Sequence, residues 1–223
     1  TFAVTIGTCS VCGNGTVEPG EQCETTDPRC NPDCTLAGNC SDTPILGCKT
    51  SSVPAKSKLQ IKDNTKDPLD NTKDSGQYQW KSGAATVVGE FKDPVNTAGV
   101  AYRLCIYDAD GLAAAHEVPS QGTCDGKPCW KASGTTGFQY GNKNGAVDGI
   151  SQLKFKAGDA GKSQASVKLK SKTGEFVSPP LPLPASSVRA QLVVDDGVTP
   201  VCFETTFATS TKNEAKQYSA KGP

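Results

Sequence analysis

The 223-residue chain has no methionine, a single histidine, two tryptophans and no net charge. Each shortage argues against a class of function. Lys plus Arg equals Asp plus Glu at 23 each, so the chain lacks the basic excess that nucleic-acid binding calls for. No apolar run is long enough to span a bilayer, and no signal peptide remains. His116, in AAAHEVP, would have to serve any Ser-His-Asp or Cys-His arrangement, and no Gly-x-Ser-x-Gly stretch accompanies it. His116 reads as a surface or turn residue, and the chain as non-catalytic. Two Trp and seven Phe are few large side chains for a domain of this size. Trp80 and Trp130 are therefore expected in the core, and the rival use is their presentation, with Tyr78 and Tyr140, on a sheet face as sugar-binding residues.

Cysteine, by contrast, is abundant, with 11 in the chain. A reducing compartment would leave most of them as liabilities, so an exported, oxidised protein is expected, extracellular or at the cell surface. The start at Thr1 fits a product processed after export, or a fragment. Because the number is odd, at least one cysteine is free, pairs between chains or binds something.

Seven of the cysteines, Cys9, Cys12, Cys23, Cys30, Cys34, Cys40 and Cys48, crowd residues 9–48. The central run, CGNGTVEPGEQCETTDPRCNPDC at 12–34, is turn chemistry with almost nothing apolar to bury, so it needs covalent or metal staples. Cys9-x-x-Cys12 and Cys30-x-x-x-Cys34 have spacings that zinc uses, but the module has no histidine, and disulfides fit better. No cofactor is expected. Calcium is the one candidate, ringed by Glu21, Glu24, Asp27 and Asp33, although these lack the spacing of a calcium-binding hand. Asn14 and Asn39 begin N-x-Ser/Thr sequons.

Charge is unevenly shared. Residues 1–48 hold six carboxylates (Glu18, Glu21, Glu24, Asp27, Asp33, Asp42) against Arg29, an excess of five, and residues 49–223 are net basic by the same amount. The acidic head has the charge to dock on a basic body, its own or a neighbour's; two solvated surfaces are the plainer reading.

Outside the module the pattern is strand and turn. Residues 1–8 alternate, with Phe2, Val4 and Ile6 on one face, and read as a strand that adds to its own body or to a neighbour's sheet. Residues 49–57 have linker composition. In VAYRLCIYD, 100–108, Tyr102, Leu104 and Ile106 share a face with Val100, and Cys105 points the other way; a hairpin turn follows at 109–111. Residues 112–118 fit a strand or a short helical turn. Ile150, Leu153 and Phe155, then Ala165, Val167 and Leu169, alternate against Lys154, Lys156, Lys168 and Lys170, as in an antiparallel sheet with one wet face. The run SPPLPLP, 178–184, is a rigid extended connection, or less simply a ligand for a proline-recognition module.

About nine or ten short strands between 56 and 210, with turn signals every eight to twelve residues and no long helix, predict a mainly β chain. The expected fold is a small disulfide-rich N-terminal module followed by an antiparallel β-sandwich. The divisions are strand 1–8, cysteine-rich module 9–48, linker 49–57 and sandwich domain 58–221. Cys124 and Cys129 bracket a Pro-containing turn and are expected to pair. Cys105 and Cys202 lie in strong strand patterns and are expected in one core, with a bond to each other as one option. Cys48 is then a linker thiol, a partner for either, or an interchain bond.

The head resembles the Myxococcus cysteine-rich repeat of secreted and surface proteins: CGNG stands at 12–15, Glu-Pro-Gly-Glu at 18–21, and Cys23, Cys30 and Cys34 follow. Glu24-Thr25-Thr26-Asp27 replaces the family's Asp-Asp-Gly-Asn. KSKLQIKD (56–63), YQWKSGAAT (78–86), YRLCIYD (102–108) and GKPCWKA (126–132) are similar to an uncharacterised β domain found beside such repeats in exported bacterial proteins. The resemblance implies export and no particular activity. The expected function is a structural subunit of an extracellular coat, filament or appendage, with Phe2, Val4 and Ile6 as the assembly strand. A carbohydrate- or cell-surface-binding adhesion module is the alternative, and a secreted hydrolase stands behind both. Expected partners are copies of the chain or another exported surface component, with glycan as a further candidate and neither nucleic acid nor a membrane span.

Overall fold

The structure, a computed structural model, describes residues 40–64, 71–170, 172–184 and 187–222. Several expectations lie outside the described residues. They are the strand with Phe2, Val4 and Ile6, the module up to residue 39 with Cys9, Cys12, Cys23, Cys30 and Cys34, the calcium candidates Glu21, Glu24, Asp27 and Asp33, and the Asn14 and Asn39 sequons.

The described chain is mainly β, with fifteen strands numbered along it. Eight form one sheet, in the order β14 (Lys212–Glu214), β15 (Gln217–Lys221), β2 (Lys58–Lys62), β3 (Ser75–Gly83), β11 (Ser163–Leu169), β10 (Ile150–Lys156), β9 (Gly137–Gly141) and β8 (Trp130–Ala132). Five form a second sheet, in the order β1 (Lys49–Thr50), β13 (Val201–Phe207), β12 (Val188–Asp195), β4 (Ala101–Asp108) and β5 (Gly111–Pro119). A small hairpin pairs β6 (Thr123–Cys124) with β7 (Lys127–Pro128). All pairings are antiparallel except β1 with β13.

Period-two alternation explains these strands. β3 buries Tyr78 and Trp80 and turns Gln77, Gln79 and Lys81 outward. β10 and β11 do the same with Leu153 and Phe155, and with Ala165, Val167 and Leu169. Side chains of both sheets meet in one core: Trp80 stands 4.9 Å from Phe203, and Tyr102 stands 4.5 Å from Trp130. The Tyr78 hydroxyl reaches across to the Phe203 carbonyl at 3.3 Å and to Thr205 Oγ1 at 3.1 Å. All four aromatics considered for sugar binding, Trp80, Trp130, Tyr78 and Tyr140, are in this core. Residues 112–118 lie within β5, a strand and not a helical turn, because their pairing with β4 outweighs the helical preference of the alanines.

The five-stranded sheet turns one face to this core and is covered on part of the other. Cys105, Tyr107, Ala115, Val193 and Cys202 on its outer side form a second cluster with Cys40, and Ile45, Cys48 and Leu112 pack against it. The cover is a strap, residues 40–50. Disulfides Cys40–Cys105 and Cys48–Cys202 clamp it, and Tyr107 donates its hydroxyl proton to the Ser41 carbonyl at 3.0 Å. Gln191, fully buried, pairs with both backbone groups of Ile45: its Oε1 accepts from the Ile45 N–H at 3.0 Å, and its Nε2 donates to the Ile45 carbonyl at 2.8 Å.

Two expectations are corrected here. Cys105 and Cys202 do share a cluster, but each is bonded to the strap and not to the other. Their strands, β4 and β13, lie on opposite sides of β12, which keeps them two strand spacings apart. Cys48 is the partner of Cys202 and so is not the odd thiol. Cys124 and Cys129 are bonded across the β6–β7 hairpin. The stretch 49–57 is also more than a linker. The Cys48–Cys202 bond sets the register of its neighbours, so that Lys49 pairs Phe203 and Thr50 pairs Glu204, and Ser51 then bridges to Gly83 in the other sheet. Likewise residues 40–48, placed with the head by their cysteines, are tied covalently to the body.

Acid should loosen this sheet in a defined way. Arg103 on β4 holds Glu117 on β5 and Asp195 on β12, the latter at 2.6 Å. Burial pushes the Asp195 carboxyl up, but the Arg103 hydrogen bond, the Gly197 N–H and the Arg103 charge outweigh it, leaving the carboxyl below the usual range. A depressed carboxyl contributes stability that is complete above its unfolded value, about 3.9, and is lost as pH falls through the folded one. Chemical denaturation between pH 6 and pH 2, about the span needed, should therefore show Asp195→Asn with a flatter acid limb than the parent. Parallel limbs would remove this ion pair from the account.

Candidate binding face

The outer face of the eight-stranded sheet carries the chain's segregated charge. Facing outward are Lys221 on β15, Lys58 and Lys62 on β2, Lys81 on β3, Lys168 on β11, Lys154 and Lys156 on β10, and Lys131 on β8. Between them lie Gln217, Gln60, Gln77, Gln79, Gln164, Gln152 and Gln139, with Ser75, Ser166 and Ser219. Strands β15 to β8 place no Asp or Glu on this face. Among the described residues none of these eight lysines makes an ion pair. Described carboxylates stand outside these strands, among them Glu214 beside Lys212 on the edge strand and Asp125 on the β6–β7 hairpin.

Register spaces the charges. Lys58 is opposite Gln79, Lys154 lies between Ser166 and Gln139, Lys168 lies between Gln77 and Gln152, and Lys131 is opposite Gln139. The one direct lysine pair is Lys58 with Lys221. Amides and hydroxyls thus separate most ammonium groups, limiting the cost of like charges on neighbouring strands.

Three clefts open on this face. One of about 300 Å³ lies over β3, β11 and β10, between Gln79, Lys81, Lys154, Lys156, Gln164 and Ser166. A second, of about 240 Å³, lies between Gln60, Lys62, Gln77 and Lys168. The third, about 640 Å³, runs from Lys131, Gln139 and Gln152 to the Cys124–Cys129 hairpin. Together they offer ammonium donors and amide groups that both donate and accept hydrogen bonds.

His116 is not the surface or turn residue expected from sequence. It faces the core from β5 with no solvent exposure, its ring 5.2 Å from Phe176 and its Nδ1 3.1 Å from the Asp148 carbonyl oxygen and 3.5 Å from its carboxylate. Its neighbours Ala114 and Val118 are core residues, which is why the period-two pattern buries it. Among the described residues no group of three or more His, Cys, Asp or Glu side chains is placed to hold a metal ion, and no helix is long and apolar enough to cross a membrane.

Sequence reading found part of the face through Lys154, Lys156 and Lys168. The rest was signalled by the same period-two alternation in KLQIK and SGQYQWK, where Lys and Gln fall opposite the apolar set. Twelve further lysines scattered through the chain obscured it, because only strand order shows which ones share a face. No family model matches the chain, and neither does any curated protein or any solved structure.

Proposed function

We propose that the chain is a non-catalytic module of an exported surface component, attaching to a polyanionic partner through the outer face of its eight-stranded sheet. The observation that carries this reading is the field of eight lysines, spaced by glutamine and serine, unpaired among the described residues and opening into clefts. A solvated sheet face normally mixes charges of both signs, whereas this face segregates one sign in a chain of zero net charge. The three described disulfides favour an oxidising compartment. The architecture is read as two sheets face to face, a β-sandwich, and the likeness of residues 12–34 to a repeat of exported bacterial proteins points to the same location.

The structural-subunit reading comes second. One described feature favours it: β5 ends its sheet among the described residues, and an end strand is where another strand can add. A single set of measurements separates the two. On an immobilised sulfated polymer at about 0.05 M salt, the natively purified protein should be retained and should elute as salt screens the contact. Lys81→Glu with Lys154→Glu should pass through with unchanged thermal stability. Flow-through of the parent protein would end the binding-face reading. Size exclusion that shows a polymer dispersed by deleting residues 1–8 would put the structural subunit first.

A further inference from the structure

We infer that the polyanion is an acidic polysaccharide, with a carboxylated sugar unit seated in the cleft over β3, β11 and β10 and the polymer running across the strands. The inference rests on the binding-face reading and adds the ligand's chemical class.

Three observations favour this class. First, amides and hydroxyls stand opposite most of the charges on the face, the Lys58–Lys221 pair excepted. An ammonium group only donates hydrogen bonds, whereas a glutamine amide donates and accepts. A layer of phosphates offers acceptors, so amide oxygens would be idle against it. A polymer of hydroxylated, partly anionic sugars uses both. Second, among the described residues no arginine lies on this face: Arg103 and Arg189 are on the five-stranded sheet. Arginine is the residue suited to bidentate phosphate recognition. Trp80, Trp130, Tyr78 and Tyr140 are in the core, so the face has none of their rings for stacking bases. Third, the charges are sparse. One cross-strand row runs Lys58, Gln79, Ser166, Lys154, Gln139, Lys131. At about 4.8 Å per strand it spans roughly 24 Å, with its lysines about 14 and 10 Å apart. Duplex DNA carries a charge every ~1.7 Å of its axis, far denser than this row. A polymer of sugar units, each with hydroxyls and at most one carboxylate, comes closer to it.

The cleft beside this row supplies the seat. Lys154 and Lys156 on β10 face Lys81 on β3 across Gln164 and Ser166, with Gln79 at one side. The ammonium groups neutralise the carboxylate, and the two amides hold ring hydroxyls.

The test compares polygalacturonate, its methyl ester, dextran sulfate, duplex DNA and phosphatidylglycerol vesicles as partners of the full chain. Polygalacturonate should bind and its ester should not. Gln79→Ala with Gln164→Ala leaves the charge intact and should weaken polygalacturonate about tenfold while changing dextran sulfate less than about twofold. Lys81→Gln with Lys154→Gln should weaken both, and thermal unfolding should show all variants folded. If dextran sulfate, DNA or vesicles bind at least as tightly as polygalacturonate and the glutamine variant is silent, the polysaccharide inference falls and the polyanion reading stands. If no polyanion binds, both fall.

Discussion

Replacing Cys48 and Cys202 together by alanine is expected to lower the unfolding free energy by about 3–5 kcal/mol, the largest loss from removing any described disulfide. The reason is loop length. The bond closes a separation of 154 residues, against 65 for Cys40–Cys105 and 5 for Cys124–Cys129. Chain-entropy estimates give about 5, 4 and 2 kcal/mol respectively, with measured values commonly lower. Local consequences add to this. The bond sets the β1–β13 register, and its loss frees the strap that covers Cys105, Tyr107 and Val193. Gln191, fully buried, would then lose its two hydrogen bonds to Ile45. Urea titration of the two double-alanine variants should rank Cys48/Cys202 well above Cys124/Cys129. The reverse order, or a loss under about 1 kcal/mol for Cys48/Cys202, would mean that the strap does not stabilise the sheet.

Trp80→Ala should cost about 3–5 kcal/mol. The indole is fully buried and tilted at 56° against Phe203 of the other sheet, so it fills space that the two sheets share. Its Nε1 has no hydrogen-bond partner among the described residues, so the loss is one of packing and not of a polar contact. Trp80→Phe should accordingly cost less than the alanine change. Gly83 supplies a second handle. A Cβ there would run into the far edge of the Trp80 ring, so Gly83→Ala should destabilise by about 1–3 kcal/mol through overpacking. In a Trp80→Ala background the same change has room, and the two losses should fall short of additive. Full additivity in the double-mutant cycle would place the ring away from Gly83.

Much of the fold was legible because strand faces are local. Apolar residues two apart in YRLCIYD assign Tyr102, Leu104 and Ile106 to the core and Cys105 to the opposite side, and the structure places them so. The Cys124–Cys129 pair was legible for the same reason, since five positions separate the two across a tight turn. Polar composition misled at 49–57: Ser, Pro and Lys read as a linker, and nothing local announces that a distant cysteine will lay Lys49 and Thr50 beside Phe203 and Glu204.

By itself the sequence determined composition, charge balance, the in-or-out alternation along each strand and a cysteine load suited to an oxidising setting. Tertiary structure alone decided the partners. Pairing Cys40 with Cys105 and Cys48 with Cys202 depends on contacts between segments 65 and 154 residues apart, which no periodicity encodes. The same holds for the candidate face. Alternation says that Lys58, Lys81, Lys154 and Lys131 point away from a core, but only the strand order β2-β3-β11-β10-β9-β8 lines them up on one surface with glutamines between. Side-chain direction is set by local backbone geometry, whereas adjacency is set by which distant strands share hydrogen bonds.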